Sequence, residues 1–429
     1  MTEPYELTAT EASMQMDADE LTAETLVESC IERIEARESV VRAWKHFEAD
    51  AARTQAKSLD RGPRKGVLHG IPFGVKDIID TANMPTGHGS PIYEGHKPAI
   101  DAPCVALSLQ SGGVLMGKTV STEFASRHPG ATQNPHNPEY SPGGSSSGSG
   151  AAVADKMVPM AFGTQTGGSV IRPAAFCGCV GYKPTYGLFS AAGVKENTRS
   201  FDTLGLYGRS VDDVALFRSG VLAIDHAPLR EVAVKDLRVA LCRTMFWDRA
   251  SAATQNVIET AAKKLSKAGA SLTQLSLEGP FKGYEALGRT VTGFEFPRAL
   301  TFERMHHYDL LSEDLREKRF KQGLRVTFDE YQAALIQLTD CRRWLADAFK
   351  NFDVILTPSA PDEAPKGLEY TGDPCFNIFA TWTYTPGVTL PTSTGPNGLP
   401  IGVQFMGPHR QDIRVLEAAK AAFPILDEG

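Results

Sequence analysis

The sequence predicts an α/β fold, a sheet sandwiched by helices. Short apolar segments separated by glycine and proline begin after Gly66, and Ile71–Val75 and Val158–Phe162 are typical of buried strands. Segments with helical periodicity, such as Gln255–Ala268, alternate with them. This alternation along the chain indicates strands and helices that pack as layers around one sheet.

The N-terminal part is predicted to be helical. Apolar residues recur at helical spacing over residues 26–34, with Glu28 and Glu32 off the apolar stripe. A second helix is predicted over Val41–Leu59, because Arg61-Gly62-Pro63 follows it as a helix-ending segment. We expect residues 1–62 to form helices that pack on the sheet.

The C-terminal half adds a helical insertion and further strands. Residues 284–349 are rich in charge and aromatics and are predicted to be mostly helical. Val354–Leu356 and Ile401–Phe405 are typical of buried strands, and a helix is predicted over Ile413–Ala422. With no internal repeat or linker, the sequence predicts a single domain spanning 1–429.

Composition argues against several classes of partner. Lys and Arg total 44 and Asp and Glu total 51, for a net charge of -7. A mildly acidic chain without a basic cluster favours neither nucleic acid nor a membrane surface as a partner. The chain has no metal-binding motif, so no metal or other cofactor is expected. Seven cysteines, no basic leader and no long apolar segment predict a cytoplasmic protein without a membrane span.

One segment satisfies the phosphate-binding pattern G-x-x-x-x-G-K-[ST]. It runs from Gly112 to Thr119. A phosphate-binding loop follows a strand and opens a helix, whereas here a helical pattern precedes the segment and Val114–Met116 is itself typical of a strand. A nucleotide-binding protein is therefore an unfavoured alternative.

A second segment satisfies G-x-S-x-G, the pattern of the nucleophile elbow in α/β-hydrolases. It runs from Gly144 to Gly148. The elbow needs an apolar strand directly before it, but Asn137–Pro142 is polar and contains two prolines. No histidine downstream stands in a recognisable setting, which disfavours a Ser-His-Asp enzyme.

Two Gly/Ser-rich turns and one lysine remain as candidates for chemistry. The turns are 143–150 and 163–169, and Lys76 ends the apolar segment that begins at Ile71. A serine needs a base to become a nucleophile, and burial can lower a lysine pKa by roughly 3–5 units so that it serves as that base. We predict Ser169 as nucleophile, Ser145 as relay and Lys76 as base. The alternative is a surface ion pair between Lys76 and Asp77.

These segments resemble the amidase signature family. The resemblance rests on Ser141–Gly148, Thr166–Ser169, Pro173–Gly178 and His69–Asp77. Further similarity covers Gly181–Thr185 and, more loosely, residues from about 20 to 407. The resemblance implies a three-layer α/β/α fold with a large mixed central sheet, and an amidohydrolase that cleaves carbon–nitrogen bonds other than peptide bonds.

The resemblance also implies roles for individual residues. It gives the nucleophile as Ser169, the bridging serine, whose peptide is usually cis in the family, as Ser145, and the base as Lys76. It makes Ser146 a supporting hydrogen-bonding residue. It implies an oxyanion hole built from the backbone N–H groups of Thr166, Gly167, Gly168 and Ser169.

Two positions depart from the family pattern. The family commonly has aspartate where this chain has Gln165, and arginine where it has Ile171, while Arg172 follows one position later. The paired change suggests that a supporting ion pair is replaced by a neutral arrangement.

Substrate contacts are predicted in three places. By analogy with the family, the backbone around Thr122 and Glu123 accepts a hydrogen bond from the substrate amide. Trp382 and Tyr384 lie on a late loop that could wall the acyl site, and the insertion at 284–349 is expected near the substrate entrance. For each of these, ordinary packing or solvent exposure is an equally good interpretation.

The predicted function is thus hydrolysis of a small-molecule carboxamide through an acyl-enzyme on Ser169. The expected assembly is a homodimer, with no nucleic acid and no membrane. The first alternative is the glutaminase (A) subunit of a tRNA-dependent amidotransferase, which shares the chemistry but needs a stable complex. A degenerate, non-catalytic scaffold is disfavoured because Lys76, Ser145 and Ser169 are all present.

Overall fold

An eleven-stranded mixed sheet forms the centre of the computed structural model, which describes residues 3–427. The strands are β1 (Trp44–Phe47), β2 (Pro72–Lys76), β3 (Val114–Thr119), β4 (Met160–Gln165), β5 (Val180–Lys183), β6 (Thr203–Gly208), β7 (Arg238–Leu241), β8 (Ser271–Gln274), β9 (Val354–Pro358), β10 (Gly387–Thr394) and β11 (Pro400–Met406). Their order across the sheet is β1-β3-β2-β4-β6-β5-β10-β11-β9-β7-β8. Strand β2 runs parallel to β3 and β4, and β7 runs parallel to β8 and β9.

Helices pack on this sheet. They are α1 (Ala9–Asp17), α2 (Ala23–Val41), α3 (Ala49–Arg61), α4 (Pro103–Gln110), α5 (Ser147–Ala154), α6 (Ile171–Cys177), α7 (Val211–Leu222), α8 (Ala252–Lys267), α9 (Tyr284–Ala299), α10 (Thr301–His306), α11 (Lys321–Gly323), α12 (Phe328–Ala348), α13 (Asn377–Trp382) and α14 (Asp412–Leu426). The predicted fold class, three-layer α/β/α with a large mixed central sheet, is confirmed.

The N-terminal segment differs from its prediction at one point. Helix α2 ends at Val41 because Arg42 adopts a left-handed conformation with φ 52°, and the Glu38 carboxylate accepts hydrogen bonds from Ala43 N and Trp44 N. The chain then enters β1, which pairs antiparallel with β3. The predicted helix over Val41–Leu59 is therefore wrong in its first part, because pairing with a distant strand outweighs local helical propensity.

The sheet brings the two catalytic candidate segments to the same edge. Strands β2 and β4 are parallel neighbours, with Val75 paired to Phe162. Parallel neighbours end on the same side of a sheet, so Lys76, the last residue of β2, lies next to the end of β4. Phe73 and Phe162 are fully buried, with ring centroids 5.9 Å apart, and this core holds both strands rigidly.

The region 284–349 is helical for most of its length, with α9, α10 and α12 joined through a π-helical segment, Asp314–Phe320, and α11. It is held to the rest of the chain by buried polar contacts. Glu303 of α10 pairs with Lys195 at 2.5 Å, and the Glu295 carboxylate accepts a 2.9 Å hydrogen bond from Ser200 N.

Three further observations concern the described residues 3–427. None of their helices combines the length and the apolar character that crossing a membrane requires. No group of three or more His, Cys, Asp or Glu side chains in this range has the arrangement of a metal site. All seven cysteines are buried and free of disulfide bonds.

Candidate active site

Lys76 lies at the centre of the candidate site, with no exposed surface. Its Nζ donates to Ser145 Oγ at 2.7 Å and to Thr164 Oγ1 at 2.7 Å. The alternative of a surface ion pair with Asp77 is wrong. The Asp77 carboxylate instead accepts from Gly87 N at 3.0 Å. The fold therefore directs the lysine amine into the interior, against two hydroxyl groups.

The protonation of Lys76 is set by burial. Desolvation holds the pKa of the Lys76 amine well below its usual range, and the charge of Asp202 acts in the opposite direction. Burial in turn raises the pKa of Asp202 to about 7. A small cavity lined by Thr164, Thr166 and Asp202 lies beside the lysine's second partner. The surroundings of Lys76 thus favour the neutral amine, the form a proton acceptor needs.

Ser145 follows a cis peptide bond with Gly144. Its carbonyl accepts from Thr122 N at 3.1 Å, and this bond ties the serine to the segment after β3. Ser146 contacts the end of β4, because its Oγ accepts from Thr164 N at 3.2 Å and lies 3.3 Å from Thr164 O. Ser146 therefore links the Gly/Ser turn to β4.

Ser169 lies on the turn between β4 and α6 and is half-buried. Its carbonyl accepts from Tyr207 Oη at 3.2 Å. Within residues 3–427, the Ser169 hydroxyl has no hydrogen-bonding partner, so the contact between Ser145 and Ser169 that a relay requires is not formed in this structure. Such contacts often tighten only when substrate is bound.

The turn that carries Ser169 presents N–H groups and turns its carbonyls away. Thr381 Oγ1 donates to Gly167 O at 2.7 Å, and Arg172 N donates to Gly168 O at 2.9 Å. The N–H groups of Gly167, Gly168 and Ser169 have no acceptor in the described part of the chain. Backbone N–H groups without an acceptor are donors of the type that the predicted oxyanion hole requires.

Gln165 supports this turn without a charge. Its side-chain oxygen accepts from Val170 N at 2.8 Å and Ile171 N at 3.0 Å, and its amide donates to Thr381 Oγ1 at 2.9 Å. The predicted neutral arrangement at Gln165 and Ile171 is present. Arg172, displaced by one position, contacts the carbonyl of Gly144 instead.

Trp382 and Tyr384 are engaged in internal contacts. Trp382 is 4% exposed, and its Nε1 donates to Thr166 O at 3.2 Å. The Tyr384 ring stacks on Tyr186 at 4.2 Å, and the Arg342 guanidinium lies over it. Trp382 thus packs behind the turn that carries Ser169. Its indole supports the turn, and a substrate-wall role for Trp382 and Tyr384 stays a prediction.

Thr122 and Glu123 adjoin Ser145, but their carbonyls are already hydrogen-bonded. Thr122 O accepts from Ala125 N at 3.1 Å, and Glu123 O accepts from Ser126 N at 2.8 Å. The Glu123 side chain is buried, and its carboxylate accepts a hydrogen bond from Ser312 N at 3.3 Å. Burial raises the pKa of the Glu123 carboxyl. This segment therefore joins the candidate site to the helical region 284–349.

The sequence analysis missed two residues of the site, Thr164 and Asp202, and one contact, that of Arg172 with Gly144. Thr164 belongs to the second Gly/Ser turn, two residues before Thr166, and strand alternation could have placed both on one face. Asp202 and the contact of Arg172 with Gly144 had no local signal, because each depends on segments that meet only in the folded chain.

The phosphate-binding pattern at Gly112–Thr119 has a structural explanation. Its lysine, Lys118, is fully buried in β3, and Nζ donates to Thr86 Oγ1 at 2.7 Å and to Ile79 O. Burial lowers the pKa of Lys118 to about 8. The amine is buried and enclosed by these acceptors.

The family to which the chain belongs agrees with the α/β fold around the large mixed sheet. The chain belongs to the Amidase family, whose model matches residues 25–416. The predicted family and enzyme class are thereby confirmed.

Relatives and solved structures agree with this assignment. The chain is similar to the A subunit of the glutamyl-tRNA(Gln) amidotransferase of Agathobacter rectalis, with 30% identity over 96% of this chain and 92% of the relative. The corresponding protein of Anaeromyxobacter sp. (strain K) is 32% identical over 96% of this chain and 94% of the relative. The peptide amidase of Stenotrophomonas maltophilia superposes with a TM-score of 0.81 at 28% sequence identity, over 99% of this chain and 98% of that one. A crystal structure of an amidase superposes with a TM-score of 0.88 at 27% identity, over 97% of this chain and 99% of that one.

These relatives correct the prediction about partners. The expectation of a homodimer without nucleic acid is wrong, because the curated relatives are subunits of an amidotransferase that acts on glutamyl-tRNA. The absence of nucleic acid was predicted from the net charge of -7, and the homodimer from the resemblance to the family. Net charge averages over the whole surface, and it describes neither a local patch nor a partner protein that supplies the nucleic-acid contacts.

Proposed function

We propose that this amidase cleaves a carboxamide through an acyl-enzyme on Ser169, with Ser145 as proton relay and Lys76 as base. The observation that carries the proposal is the 2.7 Å hydrogen bond between Lys76 Nζ and Ser145 Oγ in a fully buried setting. A buried lysine favours its neutral form, and a neutral amine accepts a proton.

Acylation begins when Lys76 takes the proton of Ser145 and Ser145 takes that of Ser169. Ser169 Oγ attacks the amide carbon, and the electron pair of the carbonyl bond moves to oxygen. The relay then returns a proton to the leaving nitrogen, the carbon–nitrogen bond breaks, and ammonia or an amine departs. Water attacks the resulting ester by the same route, which releases a carboxylic acid and restores Ser169.

The negative oxygen of the tetrahedral intermediate would lie at the turn after β4. The unpaired N–H groups of Gly167, Gly168 and Ser169 support this placement, together with Thr166 as the fourth member of the predicted oxyanion hole. Loss of one such donor typically lowers turnover by about 10²–10³-fold. Gln165 and Trp382 hold the turn through the contacts described above.

The curated relatives favour a more specific second candidate, the glutaminase (A) subunit of a tRNA-dependent amidotransferase. Full-length similarity at 30–32% identity supports it. The chemistry on Ser169 would be the same, with glutamine as the amide and the released ammonia passed to a partner that acts on glutamyl-tRNA. The neutral pair Gln165 and Ile171, where the family commonly has aspartate and arginine, counts mildly against it.

The organisation of the chain belongs to the proposal as well. We infer one catalytic domain spanning 1–429, with the helices of 284–349 bordering the substrate entrance. The 3.0 Å hydrogen bond from Arg342 Nε to Trp382 O supports this placement, because Trp382 contacts the turn that carries Ser169. Seven unpaired, buried cysteines fit a cytoplasmic protein.

The test is the turnover of Ser169→Ala on a panel of primary amides that includes glutamine. We expect kcat/KM to fall by more than about 10³-fold, whereas Ser147→Ala, which changes a neighbouring buried serine, keeps its activity. Hydroxylamine should trap the acyl group of the wild-type enzyme as a hydroxamate. Undiminished turnover of Ser169→Ala removes Ser169 as the nucleophile.

Purification separates the two candidates. Activity on glutamine that requires co-purifying subunits and glutamyl-tRNA supports the amidotransferase function. An isolated chain that hydrolyses other amides efficiently, and glutamine poorly, supports a free-standing amidase.

A further inference from the structure

A cavity of about 370 Å³ lies where helix α14 begins, and three arginines line it. Arg218 comes from α7, Arg410 from the segment before α14, and Arg414 from the first turn of α14. The lining does not include Ser169 or any other residue proposed for catalysis. Cavities of about 300–1,000 Å³ are typical of small-molecule sites. This cavity is therefore a candidate site for a second ligand.

The three arginines are poorly neutralised by the protein itself. In the described range, 3–427, neither Arg218 nor Arg410 forms an ion pair, and the Nε atom of Arg218 is buried without a hydrogen-bonding partner. Arg414 pairs with Asp353, but Arg238 pairs with the same carboxylate at 2.8 Å. One carboxylate shared by two guanidiniums balances only one of their charges. Cationic groups collected at one cavity favour an anionic ligand.

Asp412 also lines the cavity, but internal donors hold its carboxylate. Its Oδ1 accepts from Tyr182 Oη at 2.6 Å and from Thr185 N at 2.8 Å. The Arg218 guanidinium lies close to the same tyrosine hydroxyl. Three arginines and one carboxylate therefore leave the lining with an excess of positive charge.

Backbone donors at the start of α14 add to these cations. The side chain of Gln411, which precedes the helix, does not cap it. Among residues 3–427, the N–H groups of Ile413 and Arg414 have no acceptor. Both residues line the cavity. Free N–H groups in the first turn of a helix, together with the positive end of its dipole, strengthen the preference of the arginines for an anion.

We propose that this cavity binds a small phosphate monoester, with the phosphate group at the three arginines and the organic part along the half-buried Tyr186 and Leu188. The proposal does not depend on the chemistry at Ser169. A phosphate carries a charge of about −1.5 to −2 at neutral pH and three acceptor oxygens that point in different directions. It can therefore accept from guanidiniums of different segments, whereas a planar carboxylate matches the fork of a single guanidinium.

Calorimetry at constant ionic strength tests the proposal with three probes, phenyl phosphate, benzoate and inorganic phosphate. We expect phenyl phosphate to bind at least about 10-fold more tightly than either of the others, because each lacks one recognised part. Arg218→Met should weaken phenyl phosphate by about 10–100-fold, the loss of a charge-assisted hydrogen bond. Arg343→Met removes an exposed arginine of α12 outside the cavity and should change the affinity by less than about twofold. Equal binding of phenyl phosphate and benzoate, or of phenyl phosphate and inorganic phosphate, overturns the proposal.

A matched pair of variants at Ile413 isolates the charge at the helix N-terminus. Ile413 is 39% exposed and lines the cavity. Ile413→Asp places a negative charge among the proposed donors, so it should bind phenyl phosphate at least about 10-fold more weakly than Ile413→Asn. Its melting temperature should not fall below that of Ile413→Asn, because an acidic residue in the first turn stabilises a helix. Equal affinity of the two variants overturns the proposal.

Hydrogen exchange of the wild-type chain locates the bound probe without any variant that must fold. Saturating phenyl phosphate should slow backbone exchange at the start of α14 and in residues 185–188, which line the cavity. Slowed exchange confined to the turn 163–169 would place the probe at the candidate active site and overturn the proposal. The absence of both binding heat and slowed exchange at about 10 mM phenyl phosphate would overturn it as well.

Discussion

The hydroxyl of Thr166 donates a hydrogen bond to the carboxylate of Asp202, which also accepts from the backbone N–H groups of Asn197 and Thr198 at 2.7 and 2.9 Å. This carboxylate therefore touches the turn that carries Ser169 and also acts electrostatically on Lys76. One acidic group thus links the turn that carries Ser169 to the proposed base, and the first prediction follows from that link.

Replacing Asp202 should move the pH dependence of catalysis. Activity requires neutral Lys76, so it rises as the pH rises through the Lys76 pKa. The negative charge of Asp202 raises this pKa, so Asp202→Asn should lower it and shift the acidic limb of kcat/KM to lower pH. The pH profile measures this directly. Asp225→Asn, an exposed control, should leave the limb in place. A limb that stays fixed or moves to higher pH in Asp202→Asn contradicts the coupling.

Replacing Lys76 by methionine should remove the base and retain the fold. We expect kcat/KM to fall by about 10²–10⁴-fold, the usual contribution of a general base. The melting temperature should change little, since methionine fills the space of the lysine stem without a desolvated amine. Lys118→Met is the matched control, because Lys118 is also fully buried and bonded to a threonine hydroxyl. The folded fraction of Lys118→Met should keep full activity. Equal losses of kcat/KM in the two variants would argue against a specific role for Lys76.

Replacing Gln165 by alanine should destabilise the protein. Two buried backbone N–H groups, of Val170 and Ile171, would lose their acceptor. At about 1–3 kcal/mol for each of these two unsatisfied groups, we expect the free energy of unfolding to fall by about 2–6 kcal/mol. Urea denaturation measures the change, with the exposed Gln322→Ala as control. Gln165→Glu keeps an acceptor for these N–H groups, so its free energy of unfolding should fall less. A Gln165→Ala value within about 0.5 kcal/mol of the control would show that the turn does not depend on this amide.

Breaking the contact of Glu303 should loosen the helical region 284–349. The Glu303 side chain is fully buried, and it accepts from Tyr93 Oη at 2.6 Å as well as from Lys195. Glu303→Ala removes the acceptor of both donors, so backbone hydrogen exchange in α9 and α10 should accelerate. Removal of the exposed ion pair between Glu317 and Lys321 provides the control, because exposed ion pairs contribute little to stability. Equal exchange in Glu303→Ala and wild type would mean that other contacts hold these helices.

Much of the fold and the identity of the catalytic candidates was predictable from local sequence. Periodicity placed the strands that end at Lys76 and Gln165, and the Gly/Ser turns singled out Ser145 and Ser169. The helix predicted across residues 41–59 failed at β1, where a strand pairs with β3, more than sixty residues later in the chain. Pattern and propensity describe neighbours along the chain, and so they cannot report a pairing of this kind.

The sequence by itself determined the residue types of the site, the family, the strand that carries Lys76 and the turns that carry Ser145 and Ser169. Only the tertiary structure decided that Lys76 points inward at Ser145 and Thr164, that Asp202 reaches Thr166, and that the buried Arg172 donates to the carbonyl of Gly144. The reason is physical. The protonation of a lysine and the need of an arginine for a counter-ion depend on burial and on neighbours from distant segments, which exist only once the chain has folded.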